Sequence, residues 1–113
     1  MRITYFVIAA LFPVITRADK VDFNSQIQPI LSENCYTCHG PDETKIEGGL
    51  RLDREKDALK GGESGKAIVP GDPEKSLILE RITHSDSEEL MPPPKKKDAL
   101  RPEQVALIRQ WIS

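Results

Sequence analysis

Residues 35–39 read Cys-Tyr-Thr-Cys-His and hold every cysteine of the chain. Two thiols separated by two residues and followed at once by a histidine form the attachment pattern of a c-type haem. The spacing lets Cys35 and Cys38 reach the two vinyl groups on one side of a porphyrin. His39 then lies beneath the iron as its proximal ligand. The pattern therefore predicts one covalently attached haem c per chain.

Three other uses of the cysteines fit the pattern less well. A thioredoxin-like redox pair would need a βαβ pattern, which the sequence lacks. A structural zinc site needs four ligands, and the candidates are Cys35, Cys38, His39 and His84. Adjacent Cys38 and His39 would have difficulty in binding one tetrahedral ion. A disulfide over two residues suits an exported protein but leaves His39 without a role.

Residues 1–18 are predicted to be a secretory signal peptide. Arg2 gives a basic start, the run up to Ile15 is almost entirely apolar, and small residues precede a cleavage position after Ala18. We therefore expect residues 19–113 to form one domain that is periplasmic or otherwise exported, with no membrane span. This agrees with the haem prediction, because haem c is attached outside the cytoplasm. An uncleaved anchor is the alternative, but a span needs about 20 apolar residues.

Without that segment, two arginines are lost and 14 Lys and Arg residues face 18 Asp and Glu residues, a formal charge of −4. The acidic balance argues against binding to nucleic acid. Only about a third of the remaining residues are apolar, and the aromatic ones are Phe23, Tyr36 and Trp111. A domain of this size with so small a core commonly needs a disulfide, a metal or a cofactor.

Met91 is the only methionine after the signal peptide, and three prolines follow it. Prolines stiffen the backbone, so this segment could hold a thioether at the sixth position of a haem iron. A methionine that merely fills a gap in the core is the alternative. His84 is the rival ligand, but it lies in an acidic segment typical of a solvated loop. Ligation by His84 would lower the potential, because methionine raises it.

The sequence predicts a small all-α fold with about three main helices and long loops around one covalently attached haem. The first helix begins between Asn24 and Gln28 and runs into the cysteine motif. The second has Asp72 as its N-cap, begins at Pro73 and continues through Ile82.

The third helix begins at Pro102 and carries an apolar face to Ile112. Its N-cap, Arg101, cannot accept hydrogen bonds from the first helical amides. Residues 40–71 are predicted to be irregular, with turns at paired glycines. Loops of this length suit a domain whose loops pack on a cofactor.

Leu50 and Leu52 alternate with charged residues and are expected to form one wall of the haem pocket. Arg51 between them could pair with a haem propionate. The segment 61–66 looks like a phosphate-binding loop but lacks the required first glycine and final Ser or Thr. The run 95–97 consists of three lysines, which could dock an acidic partner or simply be solvated.

Several short segments occur together in an order that is typical of one family. They are Phe23-Asn24, Ile27, Pro29-Ile30-Leu31, Cys35-x-x-Cys38-His39-Gly40-Pro41, Gly49-Leu50-Arg51-Leu52-Asp53, Gly61-Gly62-Glu63-Ser64-Gly65, Ile68-Val69-Pro70-Gly71-Asp72-Pro73, Met91-Pro92-Pro93 and Ile108-x-x-Trp111-Ile112. Over residues 21–112 the chain resembles the planctomycete-type cytochrome c domain.

The resemblance implies a small, class I-like cytochrome c fold in which the terminal helices pack together around one haem. It implies attachment through Cys35 and Cys38 and axial ligation by His39 and Met91. In this family the domain commonly stands at the N-terminus of a much larger exported protein. The chain is therefore expected to be such a module or a fragment, served by a redox partner protein or by a fused C-terminal domain.

Electron transfer is the function that these features favour, because two axial ligands leave no open position on the iron. The chain would then be an electron-transfer domain and not an enzyme in its own right. A haem-based sensor or small-ligand-binding module is the alternative, and it requires a labile sixth site. A structural module held together by haem or a metal is the third possibility.

Overall fold

The computed structural model describes residues 1–11 and 20–113. The predicted cleavage position after Ala18 lies outside these residues. Residues 1–11 form no regular secondary structure and expose their large apolar side chains. Within the described ranges, no helix is both long enough and apolar enough to cross a membrane.

Short helices joined by loops make up the domain. The α-helices of the described residues are α1 (Gln28–Asn34), α2 (Tyr36–His39), α3 (Glu55–Lys60), α4 (Leu77–Ile82) and α5 (Pro102–Ile112). A π-helical turn, Phe23–Ile27, leads into α1, and 3-10 turns occupy Glu43–Lys45 and Pro73–Lys75. Over residues 20–113 there is no strand, only an isolated bridge between Gly62 and Gly65. The predicted all-α class is confirmed for these residues.

The first helix begins where the sequence predicts it. Asp22 caps the π-helical turn by accepting a hydrogen bond from the Ser25 amide at 3.0 Å. α1 then begins at Gln28, and Pro29 lies in its first turn, where no intrahelical hydrogen bond is lost. Cys35 separates α1 from α2, which carries the rest of the cysteine motif.

The predicted second helix is wrong in one respect, because it is divided into two pieces. Asp72 accepts a hydrogen bond from the Lys75 amide at 3.2 Å, but the turn that it caps ends at Lys75. Ser76 has an extended backbone, and α4 begins only after it. The Ser76 hydroxyl donates to Asp72 O and accepts from the Val69 amide, both at 2.9 Å. These side-chain bonds compete with the backbone bonds of a continuous helix.

The prediction that residues 40–71 are irregular throughout is also wrong, because the segment contains α3. Glu55 in its first turn and Lys60 in its last turn complement the helix dipole. Gly61 ends the helix with a φ of +81°, and a Cβ there would lie 2.2 Å from Gly65 O. The helix signals were therefore present in the sequence, although the helix is short.

The third helix, α5, begins at Pro102 as predicted and ends where expected. Arg101 makes no side-chain cap; instead, the Arg101 amide donates to Gln104 Oε1 at 2.9 Å. The rings of Phe23 and Trp111 lie 5.2 Å apart, centroid to centroid, at an angle of 38°. This contact packs the two ends of the domain together.

The core consists mainly of branched apolar side chains. Its buried members are Val21, Ile27, Ile30, Leu31, Leu52, Ala58, Ala67, Ile68, Ile78, Leu79, Ile82, Leu100, Ile108 and Ile112. The aromatic residues Phe23, Tyr36 and Trp111 are half-buried and pack against this core. Because part of this apolar surface faces a cavity, the core by itself does not fill the domain.

Candidate functional site

A cavity of about 340 Å³ lies between α2, the segment 47–52, the turn 62–65 and α4. Its volume falls within the range of about 300–1,000 Å³ that is typical of small-molecule and cofactor sites. The apolar part of its wall is formed by Leu50, Leu52, Ala67, Leu77, Ile78 and Ile82. Leu50 and Leu52, the two leucines predicted to form one wall of the haem pocket, therefore both line this cavity.

Cys35, His39 and Met91 line this cavity together. The Met91 amide donates to Arg81 O at 2.9 Å, which ties the residue to the end of α4. An adjoining cavity of about 130 Å³ shares these three residues and adds Cys38. Cys35, Cys38, His39 and Met91, four of the predicted site residues, thus lie around these two cavities.

A hydrogen bond fixes which nitrogen of His39 is available to a metal. Nδ1 lies 3.0 Å from Leu50 O. A carbonyl oxygen can only accept, so Nδ1 carries the proton in this contact, and Nε2 keeps its lone pair. This arrangement is typical of metal-binding histidines, whose second nitrogen donates to a carbonyl or carboxylate.

Backbone hydrogen bonds attach the segment 47–52 to the cysteine motif. The Glu47 amide donates to Cys38 O at 3.0 Å, and the Leu52 amide donates to His39 O at 2.7 Å. Gly62 closes against this segment, because a Cβ there would lie only 2.5 Å from Gly48 O. The loop that supplies Leu50 O is therefore held on both sides.

The cysteines have free thiols, and their surroundings differ. Burial raises the pKa of Cys35 to about 11, with a smaller contribution from the nearby Cys38. Cys35 is therefore a neutral thiol at neutral pH.

Among the described residues, no group of three or more His, Cys, Asp or Glu side chains is arranged so that it could hold a metal ion.

Arg51 does not line either cavity in the described part of the chain. Its guanidinium donates to both carboxylate oxygens of Asp53, at 2.8 and 2.9 Å, and to Glu43 Oε1 at 3.1 Å. These hydrogen bonds from Arg51 hold the pKa of Asp53 below its ordinary value. Arg51 is thus engaged by this chain's own carboxylates, where the sequence suggested a haem propionate.

Arg81 is a cation at the cavity that the sequence analysis did not single out. It lines the cavity, its side chain is 30 % exposed, and its guanidinium pairs with Glu89. A signal was available, because Leu77, Ile78 and Ile82 share a helical face with Arg81. The structure shows that this face of α4 lines the cavity, which the sequence alone does not reveal.

His84 does not line the site, whereas two lysines of the run 95–97 do. His84 Nδ1 accepts a hydrogen bond from the Asp86 amide at 3.0 Å, and His84 lines neither cavity. Lys96 and Lys97, in contrast, line the smaller cavity and form ion pairs with acidic residues of this same chain.

Comparison with known proteins identifies the family. Residues 35–95 match the family model described as Planctomycete cytochrome C, and this span is more than half of the 113 residues. The chain belongs to the Planctomycete cytochrome C family. No curated protein and no solved structure matches it. Membership makes the chain a haem-binding domain, with haem c as the covalently bound cofactor.

The cavity fits the haem c of a Planctomycete cytochrome C. Its wall is largely apolar, Cys35 lines it, and Cys38 lines the adjoining smaller cavity. The tautomer of His39 leaves Nε2 free, and Met91 adds a thioether to the same wall. These donors are types that haem proteins use for attachment and axial ligation.

Proposed function

We propose that this chain is a periplasmic or otherwise exported electron-transfer domain with one haem c, whose iron cycles between Fe(II) and Fe(III). The observation that carries the proposal is that His39 and Met91 line the same apolar cavity. Iron ligated by both residues has no open coordination position. The domain then exchanges electrons and has no enzymatic activity of its own.

Cys35 and Cys38 are the attachment residues in this proposal. Their thiols would hold the haem covalently, each through a thioether bond to one of its two vinyl groups. When bound, haem c supplies a one-electron couple. His39 binds the iron through Nε2, and Leu50 O holds the imidazole in the required tautomer and orientation.

Met91 is the proposed sixth ligand, in preference to His84. Met91 lines the cavity and is held by the Arg81 carbonyl, whereas the Nδ1 of His84 faces the Asp86 amide. A thioether ligand favours the reduced iron and so raises the potential. The apolar wall that includes Leu52 excludes water from the iron and acts in the same direction.

We assign to Arg81 the role of partner for a haem carboxylate. Arg81 lines the cavity, whereas Arg51 lines neither cavity. The Arg81 guanidinium pairs with Glu89, so a haem carboxylate would share or replace that partner. Arginine suits this task because its planar fork matches a carboxylate.

We also propose that the electron donor or acceptor is a redox partner protein or a C-terminal domain fused after residues 19–113.

Potentiometry combined with carbon monoxide binding tests the proposal. We expect the holoprotein to be reduced and reoxidised reversibly in one-electron steps, and the ferrous form not to bind carbon monoxide within the mixing time. Rapid carbon monoxide binding by the unmodified protein would contradict the electron-transfer role. That result would favour the alternative, a haem-based sensor or small-ligand-binding module with a labile sixth site.

A further inference from the structure

The loop that follows Met91 is held at its start and in its middle by backbone hydrogen bonds. At its start, the Met91 amide donates to Arg81 O at 2.9 Å. In its middle, the amides of Lys96 and Lys97 both donate to Pro93 O, at 2.8 and 3.1 Å. These bonds form a turn, but they do not connect the loop to α1, the helix that leads into the cysteine motif.

That connection is made by the Lys97 side chain. Its ammonium donates to Glu33 O at 2.7 Å and lies 3.8 Å from the carboxylate oxygen of the same residue. Glu33 is in the last turn of α1, where backbone carbonyls lack partners within the helix. Lys97 therefore joins the loop that follows Met91, here called the Met91 loop, to the C-terminal end of α1, just before Cys35.

The carbonyl contact is the stronger part of this connection. A hydrogen bond from an ammonium is charge-assisted, and a cation at a helix C-terminus is favourable. The ion pair with the Glu33 carboxylate is longer, and that side chain is 67 % exposed, so it contributes little. Lys96 is also a weaker connection, since its ammonium lies 3.7 Å from both Glu47 Oε1 and Cys38 Sγ.

We propose that Lys97 is a positioning residue that keeps the Met91 loop closed over the haem. The inference rests on the proposed function, because it takes Met91 as the sixth ligand. When the bond to Glu33 O is absent, the loop opens more often and Met91 leaves the iron more readily. The open state then exposes the sixth position to small external ligands.

Imidazole binding to the ferric holoprotein tests this role, because imidazole must displace Met91. We expect Lys97→Leu to raise the apparent affinity for imidazole about fivefold, the scale of one partly exposed charged hydrogen bond. Lys95→Leu is the matched control, since it removes the same charge from an exposed neighbour in the same run. The control should bind imidazole as the unmodified protein does.

Glu33→Gln separates the carbonyl contact from the ion pair. It removes the carboxylate and keeps the backbone carbonyl, so we expect an imidazole affinity within about twofold of the unmodified protein. An increase equal to that of Lys97→Leu would overturn the carbonyl contact as the basis of the effect.

Two further outcomes distinguish the failure of this proposal from the failure of the function. If the unmodified ferric protein shows its far-red sulfur-to-iron band and the two lysine variants bind imidazole equally, Lys97 has no positioning role and the electron-transfer proposal stands. If that band is missing from the unmodified protein, Met91 is not a ligand, and both its assignment as the sixth ligand and the positioning role of Lys97 are overturned.

Discussion

At the scale of single residues, one carbonyl determines how His39 can bind a metal. Leu50 O lies 3.0 Å from Nδ1, and the Leu52 amide returns a hydrogen bond to His39 O. His39, the proposed proximal ligand, and the loop that orients it are thus joined at two points. Because this bond fixes the tautomer, the loop also influences the basicity of Nε2 toward iron.

Met91→Ala tests the other axial position. We expect the haem to stay covalently attached, because the cysteines are unchanged, while the potential falls and the ferrous iron binds carbon monoxide. His84→Ala is the control and should leave both properties unchanged. Optical spectra, a redox titration and mixing with carbon monoxide measure these effects. An unchanged spectrum and potential in Met91→Ala would show that Met91 is not the sixth ligand.

Asp53→Asn tests the acid sensitivity of the Arg51 ion pair. Hydrogen bonds from Arg51 lower the pKa of Asp53 below 3.8 in the folded protein. A depressed folded pKa gives stability above the unfolded pKa, and this stability is lost as the pH falls through the folded value. We expect the unmodified protein to lose more stability than the variant below about pH 4. Urea unfolding between pH 7 and pH 2 measures the free energy of unfolding of both proteins. If the two free energies fell in parallel with pH, the expectation would be contradicted.

At the scale of elements, the helices at the two ends were the most predictable from sequence. Pro29 in the first turn of α1 and Pro102 at the start of α5 are local signals, and both hold in the structure. The middle of the chain depends on contacts between separate segments. Ser76 divides the predicted second helix because its hydroxyl bonds to Val69, seven residues away, and no local pattern reveals this contact.

Ser76→Ala tests that division. Ser76 is only 1 % exposed, and the substitution leaves the partly buried Val69 amide without its hydrogen-bond acceptor. We expect the free energy of unfolding to fall by about 1–3 kcal/mol. Ser64→Ala, at an exposed position in the turn 62–65, is the control and should change it by less than about 0.5 kcal/mol. Chemical denaturation compares the two variants, and equal stabilities would refute the structural role of Ser76.

At the scale of the whole molecule, the site depends on distant parts of the chain. The haem-attachment motif can be recognised from the sequence, and Met91 could be proposed as the sixth ligand because three prolines follow it. The sequence suggested only Arg51 as the partner of a haem carboxylate; the proposal of Arg81 depends on where the cavity lies. The bond from Lys97 to Glu33 joins residues 64 positions apart and was equally inaccessible.

The optical spectrum of the holoprotein tests the central claim most directly. The protein should be made in a host that matures c-type cytochromes and recorded in its oxidised and reduced states. We expect a low-spin reduced spectrum, a weak far-red sulfur-to-iron band in the oxidised state, and haem that stays bound after denaturation. A protein without covalent haem, in a host that matures other cytochromes, would contradict the account and return Cys35 and Cys38 to disulfide or metal chemistry.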